Sequence, residues 1–167
     1  TVTIIGTNDA PIITSAVQAG TVVEDSIVAA EVTVGGRVTS SDVDTGSTAV
    51  YTTTDTAAHG TFTLTADGGW SYTLVSAGDA AVQALNVGQS LVEIFTVTVT
   101  DDNNATATQD VTVTIIGTND APIITSAVQA GTVVEDSIVA AEVTVGGRVT
   151  SSDVDTGSTA VYTTTDT

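Results

Sequence analysis

Valine, isoleucine and phenylalanine alternate with threonine along much of the chain. In Phe95–Thr100 (FTVTVT) and again in Val111–Ile116 (VTVTII), an apolar residue occupies every second position. Successive side chains of a strand point to opposite faces, so a period of two predicts strands with one buried face and one exposed face. β-branched residues also lose rotamer freedom in helices and pack well on pleated sheets. The pattern therefore predicts an all-β fold.

The same pattern predicts seven strands separated by short polar turns. They are Pro11–Val23 (interrupted near Val17), one strand within Val28–Thr39, one within Ala49–Thr54, then Thr61–Thr65, Trp70–Leu74, Leu91–Thr100 and Thr106–Ile116. Only Asp79–Asn86 (DAAVQALN) is typical of a helix. Seven short antiparallel strands, with Phe62, Trp70, Tyr72 and Phe95 as core candidates, indicate an immunoglobulin-like β-sandwich. A small closed barrel is the alternative.

An internal repeat divides the chain. Residues 1–56 recur unchanged as residues 112–167, so the period is 111 residues. A period of this size corresponds to one small domain. We therefore expect residues 1–9 to be the last strand and linker of a preceding repeat, 10–119 to form a complete sandwich, and 120–167 to begin the next repeat. Because the two copies are identical, the sequence leaves open which of them pairs with residues 57–111, and whether a neighbouring molecule covers the half repeat.

The charge is strongly acidic. The chain has 20 acidic residues against two arginines and no lysine, for a net charge of −18. Such a field repels phosphate backbones and anionic lipid, which excludes nucleic acid as a partner, and no apolar run is long enough for membrane insertion. The 41% hydrophobic content is too high for a disordered acidic tail. With no cysteine, one histidine and no serine in a nucleophile-elbow context, we expect no enzyme.

Acidic residues concentrate in the loops at the ends of the predicted sandwich. Since antiparallel strands alternate in direction, the loops after the second, fourth and sixth strands share one end with the incoming linker. Asn8 and Asp9 lie in that linker, Asp42 and Asp44 in the first of these loops, and Asp101 and Asp102 in the last. At the other end Glu24 and Asp25 are expected to meet Asn119 and Asp120, and Asp153 and Asp155 begin a second, incomplete junction site.

Converging carboxylates require either raised pKa values or a bound cation. Ca²⁺ takes six to eight oxygen ligands from carboxylates, amides and backbone carbonyls, which is the inventory of these loops. The chain lacks the cysteines and the histidine clusters that zinc sites use. The sequence therefore predicts calcium at the domain junctions, with acidic but merely solvated loops as the alternative.

Several motifs resemble a known repeat. GTNDAP after a VTVTI strand, VVED, SDVDTG, HGTFTLTADGGWSYTL and FTVTVTDDNNATATQDVTVTIIGTNDAP are similar to the VCBS-type tandem repeat of giant RTX-class bacterial surface adhesins. NDAP and the DxD motif also resemble, more distantly, the linker and calcium loop of cadherins. The cadherin resemblance implies calcium-ligand positions at Asn8, Asp9, Asp42, Asp44 and Asp101, and an acidic position of the opposite pole at Glu24. One departure is Gly6, where cadherin linkers carry an acid.

The resemblance implies a calcium-stabilised extender, secreted to the bacterial cell surface, that spaces a distal ligand-binding region from the cell. Its partners would be neighbouring repeats of the same chain. One alternative is a self-assembling extracellular fibre or matrix repeat, through the incomplete C-terminal half. Another is a glycan- or ice-binding module that uses outward threonine rows such as Thr96, Thr98 and Thr100.

Overall fold

The computed structural model describes residues 1–139 and 144–165. They form two compact units, Thr1–Thr118 and Asn119–Thr167. Six residues of the expected half repeat, 140–143 and 166–167, lie outside the described residues.

The larger sheet of the first unit has four strands. Their order is β2 (Gln18–Val23), β9 (Thr106–Ile116), β8 (Ser90–Thr100) and β5 (Val50–Thr52). β8 and β9 form a long antiparallel hairpin from Ser90↔Ile116 to Thr100↔Thr106. Their alternating sequence buries Phe95, Val97 and Val99 on one face, as the period of two predicts. β2, in contrast, runs parallel to β9, so the sheet is not purely antiparallel.

The smaller sheet has three antiparallel strands in the order β3 (Thr33–Arg37), β7 (Gly69–Leu74) and β6 (Gly60–Leu64). A tight turn joins β6 to β7, where Gly68 adopts a φ of 87° that favours glycine. Gly60 and Gly69 begin the two strands. The hairpin predicted from the ADGG turn is therefore present.

The first predicted strand is divided between two pairings, near the expected interruption. β1 (Ile12–Ile13) pairs antiparallel with β4 (Ser40–Ser41), whereas β2 joins the larger sheet. Between them the Ser15 hydroxyl donates to Gln109 Oε1 (2.5 Å) and Gln109 Nε2 donates to the Ala16 carbonyl (2.8 Å). These bonds satisfy polar groups where the ladder is broken.

Two short helices complete the first unit. α2 (Ala80–Gln83) lies within the predicted helical stretch, and the Asp79 carboxylate caps it by accepting from Ala81 N and Val82 N. α1 (Ala29–Val32) was not predicted, whereas β3 (Thr33–Arg37) lies within residues 28–39, where the second strand was predicted. Local alanine content overrides the strand pattern there.

The core lies between the two sheets. Phe95 is 1% exposed, and its ring stacks on Phe62 with the centroids 4.0 Å apart. Tyr72 and Trp70 are also buried. All four predicted aromatic core candidates thus contribute, and two facing sheets confirm the β-sandwich rather than the closed barrel.

Among its described residues, the second unit repeats only the first pairing of the sandwich. β10 (Ile123–Ile124) pairs with β11 (Ser151–Ser152), as β1 does with β4. Val133, Val149 and Tyr162 are 53%, 45% and 53% exposed, whereas the identical Val22, Val38 and Tyr51 are 0%, 0% and 9% exposed. The strands within residues 60–116 pair with β2, β3 and β5 of the first copy. In this structure residues 57–111 are therefore paired with the first of the two identical copies.

Candidate metal centre

Three segments of the first unit meet at one end of the sandwich. Asn8 Nδ2 donates to Asp101 Oδ2 at 2.9 Å, and the Asp9 backbone N–H donates to Asp44 Oδ2 at 2.8 Å. The linker therefore contacts both the loop after β4 and the turn after β8. Residues separated by 93 and 35 positions in sequence are brought together, as the alternation of strand directions predicts.

Asp101 is the most enclosed carboxylate of this end, at 7% exposure. Its Oδ1 accepts from the backbone N–H groups of Asn103 and Ala105, both at 2.8 Å. The turn closes with Asn104 at a φ of 69°, a conformation that asparagine tolerates. The Asn8 amide, followed by these backbone donors, holds the pKa of Asp101 below its ordinary value of 3.8. The side chain is therefore an anion at neutral pH.

The loop after β4 presents a carboxylate oxygen that lacks a donor. Asp42 Oδ1 accepts from the Asp44 N–H at 2.9 Å, which folds the loop into a local turn, and Gly46 continues it with a φ of 83°. Asp42 Oδ2 is shielded from solvent and accepts no hydrogen bond from any described residue. A buried, unpaired carboxylate oxygen is costly unless a cation or a donor compensates it.

The second copy of this loop shows why that oxygen is unpaired. In the second unit Ser158 Oγ donates to Asp153 Oδ2 at 2.7 Å. In the first unit the identical Ser47 instead donates to Asp102 Oδ1 at 3.2 Å. The turn after β8 thus draws the serine away from the aspartate of its own loop. Asp102 is exposed, and its Oδ1 also accepts from the Thr48 N–H of the same loop.

Glu24 and Asp25 occupy the opposite pole of the first unit. Glu24 is fully buried, and its Oε1 accepts from the Thr118 N–H at 2.6 Å. Asp25 has a φ of 52° and accepts from Gln83 Nε2 at 2.9 Å. Glu24 therefore holds the exit of the sandwich, and Asp25 ties that pole to α2.

The remaining predicted site residues lie in the second unit. The Asp120 N–H donates to Asp155 Oδ2 at 2.8 Å, as Asp9 does to Asp44. Asn119 Nδ2 donates to the Asp120 carbonyl at 2.7 Å. Asp153 Oδ1 accepts from the Asp155 N–H. The linker-to-loop contact is thus reproduced without the turn that supplies Asp101.

The donor set of the first unit suits a hard cation. Carboxylate, amide and carbonyl oxygens are the ligands that Ca²⁺ takes, and the buried Asp42 Oδ2 offers one that no protein donor uses among the described residues. Within the described ranges, no group of three or more His, Cys, Asp or Glu side chains lies close enough to hold a metal by itself. An ion at this end would therefore also need the Asn8 amide oxygen or backbone carbonyls.

Two residues of this site were missed as site residues by the sequence reasoning. Ser47 orients Asp102, and Asn103 Nδ2 donates to Asn8 Oδ1 at 2.7 Å. Serine and asparagine are common in turns, so residue type alone did not distinguish them. Asp67, at the β6–β7 turn, pairs with Arg37 at 2.5 Å and takes no part.

The single histidine is part of a structural pair. His59 Nδ1 lies 2.7 Å from Asp79 Oδ2, while the other oxygen of Asp79 caps α2. The hydrogen bond with His59, more than the helix N–H groups, keeps the pKa of Asp79 below its ordinary value. An open hollow of about 550 Å³ beside the pair is lined mainly by small side chains and contains no serine, threonine or cysteine.

Comparisons with solved structures show the fold. Mouse cadherin-23 EC22-24 is 21% identical, with a TM-score of 0.53, over 90% of this chain and 46% of that one. Human CDH23 EC21-23 is 20% identical, with a TM-score of 0.52, over 92% and 47% respectively. The chain thus spans less than half the length of these structures. Both are similar in the cadherin sandwich architecture.

Comparisons of sequence show the family. No curated protein matches the chain. Within residues 1–139 and 144–165 there is no helix with the length and apolar character to cross a membrane. A model of the bacterial cadherin-like domain matches residues 8–117. Such domains are extracellular adhesion or structural modules without enzymatic activity. This confirms the prediction that the chain is not an enzyme. The chain belongs to the bacterial cadherin-like domain family.

Proposed function

We propose that this chain is a calcium-stabilised extender of a secreted bacterial adhesin, of the VCBS type found in RTX-class proteins. The observation that carries the proposal is Asp42 Oδ2, a buried carboxylate oxygen without a donor among the described residues, in the loop that faces the incoming linker. Residues 10–119 would be the repeating unit, with 1–9 and 120–167 belonging to its neighbours. The bacterial cell surface would be its location.

Calcium would be held by the linker and the two loops that contact it. Asp42, Asp44 and Asp101 would supply carboxylates once the ion draws the two loops closer together, and Asn8 would supply an amide oxygen, while Asp9 would keep the linker on Asp44. The charge of the ion would offset part of the repulsion among these carboxylates. Binding at the entry to each sandwich would make the orientation of successive repeats more rigid, which is what an extender requires.

The opposite pole would meet the next junction. Glu24 holds the Thr118 N–H from a fully buried position, so the outgoing linker leaves from a fixed point. Asn119 and Asp120 would then play the parts of Asn8 and Asp9 for Asp153 and Asp155. Since the second unit has no counterpart of Asp101, its affinity for calcium should be the weaker of the two.

Small-angle scattering on a chain of several consecutive repeats tests the proposal. With calcium the radius of gyration should be that of an extended rod, and EDTA should reduce it and broaden the distance distribution. A chain with Asp42→Asn in every repeat provides the control, because it should scatter alike in calcium and in EDTA. An unchanged profile of the parent chain on removal of calcium would refute the proposal.

Self-assembly is a second candidate, favoured by the exposed apolar residues of the second unit. Val133, Val149 and Tyr162 are covered in the identical first copy. A neighbouring chain could cover them and so build a fibre. Sedimentation equilibrium tests this candidate, which predicts association that weakens when Val133 and Val149 are replaced by serine. A monomer at all concentrations would exclude it.

The threonine rows do not favour glycan or ice binding. Thr96 Oγ1 donates to Asp110 Oδ1 at 2.9 Å, and Thr63 Oγ1 lies 2.7 Å from Ser71 Oγ. These two hydroxyls are engaged across neighbouring strands and are not free to form a flat binding surface.

A further inference from the structure

The amide of Asn8 connects the linker to the turn after β8. Its Nδ2 donates to Asp101 Oδ2 and also to the Asp9 carbonyl, both at 2.9 Å. Its Oδ1 accepts from Asn103 Nδ2 at 2.7 Å. Since a carboxylate and a carbonyl only accept, the nitrogen of Asn8 must face them. The hydrogen bonds thus determine the orientation of the amide.

This orientation is the opposite of the one that a metal ligand needs. A cation binds the amide oxygen, whereas here the nitrogen faces the carboxylate that would share the ion. The Asp9 N–H plays a similar part toward Asp44 Oδ2. Two N–H donors of the linker therefore each serve one carboxylate oxygen, of Asp101 and of Asp44.

We propose that Asn8 is a positioning residue that anchors the linker on Asp101 in the metal-free chain. The anchor means that removal of the metal does not release the linker at Asn8. Gly6, two residues before Asn8, has no atom other than those of its chain neighbours within 4 Å of the position of a Cβ. This inference deepens the proposed function and rests on it: when calcium binds, the Asn8 amide has to turn its oxygen toward the ion.

The repeat supplies a matched control for this anchor. Asn119 stands at the same place in the second GTNDAP motif, but its Nδ2 donates to the Asp120 carbonyl and has no counterpart of Asp101 in its unit. Asn8→Asp and Asn119→Asp therefore make the same chemical change in the same local sequence. Only the first places a carboxylate against Asp101 and removes its donor.

Thermal unfolding in EDTA measures the difference. Asn8→Asp should lower Tm by about 4–8 °C, and Asn119→Asp should stay within about 2 °C of the parent chain. Equal Tm values for the two variants in EDTA would overturn the anchor. Added calcium should raise Tm more for Asn8→Asp than for the parent, because the new carboxylate is a better ligand than an amide.

Hydrogen exchange on the unmodified chain gives a second readout that does not depend on a variant. In EDTA the Asp9 N–H should exchange more slowly than the N–H of Thr7, and Asn8→Asp should remove that protection. Equal, fast exchange of both amides in EDTA would also overturn the anchor. If the Tm of the parent chain is the same with and without calcium, the proposed calcium function is refuted. The Asn8 anchor is not refuted by that result, because its tests are made in EDTA without metal.

Discussion

Replacing one valine by alanine in each of the two identical segments tests which copy residues 57–111 complete. Val22 is 0% exposed in β2, whereas its copy Val133 is 53% exposed. The change removes two methyl groups, worth about 0.8 kcal/mol each when buried, and a cavity term adds to this. Val22→Ala should therefore cost about 2–3 kcal/mol, and Val133→Ala less than about 1 kcal/mol.

Calorimetry or circular dichroism in EDTA provides the assay. For a domain of this size Val22→Ala should lower Tm by about 8–12 °C, while Val133→Ala should lower it by no more than about 4 °C. Because the local sequences are identical, intrinsic β-propensity cannot produce the difference. A larger loss for Val133→Ala would mean that residues 57–111 complete the second copy, which would refute the strand pairing of this structure.

Three further changes test the core and the charged groups. Phe95→Ala should cost about 3–5 kcal/mol in urea unfolding, because the ring is 1% exposed and stacks on Phe62. Tyr72→Phe should cost about 1–2 kcal/mol of stability, because the Tyr72 hydroxyl donates to Glu93 Oε2 at 2.5 Å. Burial and, after it, the neighbouring Glu93 raise the pKa of Tyr72 above its ordinary value. The stability that this hydrogen bond contributes is therefore present below pH 10 and is lost at more alkaline pH. The pKa of Asp101 is lower in the folded chain than its ordinary value of 3.8. Its contribution to folding stability is therefore complete above pH 3.8 and is lost as the pH falls through the lower pKa of the folded state. In EDTA, Asp101→Asn should reduce the fall of Tm that the parent chain shows at acidic pH.

The positions of strands could be predicted from the sequence wherever a strand buries one face and exposes the other, because its apolar and polar residues then alternate. The hairpin of β8 and β9 has this character, since Val97 and Val99 alternate with threonines, and its bounds lie within one residue of the prediction. The parallel pairing of β2 with β9 could not be predicted in this way. It depends on where the chain crosses from one sheet to the other. At that crossing Ser15 is hydrogen-bonded to Gln109, which is 94 residues away in the sequence.

The candidate site was predictable in its segments but not in its side-chain roles. Alternating strand directions placed the linker beside Asp44 and Asp101, and the structure has both contacts. Which oxygens remain without donors depends on the competition for Ser47, and the sequence of the loop is the same in both copies. Identical residues therefore have different partners, and only tertiary structure distinguishes them.

Calcium binding at the first junction tests the central claim most directly. Titration of calcium into the metal-free chain, followed by Tm, should show a rise in stability that reaches roughly 2.7 kcal/mol at 100 times the dissociation constant and grows by about 1.4 kcal/mol for each further tenfold increase in calcium. Asp42→Asn should abolish the response of the first unit, because it removes the buried oxygen that lacks a donor among the described residues, whereas Asp153→Asn changes only the second unit and should leave that response in place. A Tm that is the same in calcium and in EDTA, or a full response from Asp42→Asn, would contradict the account.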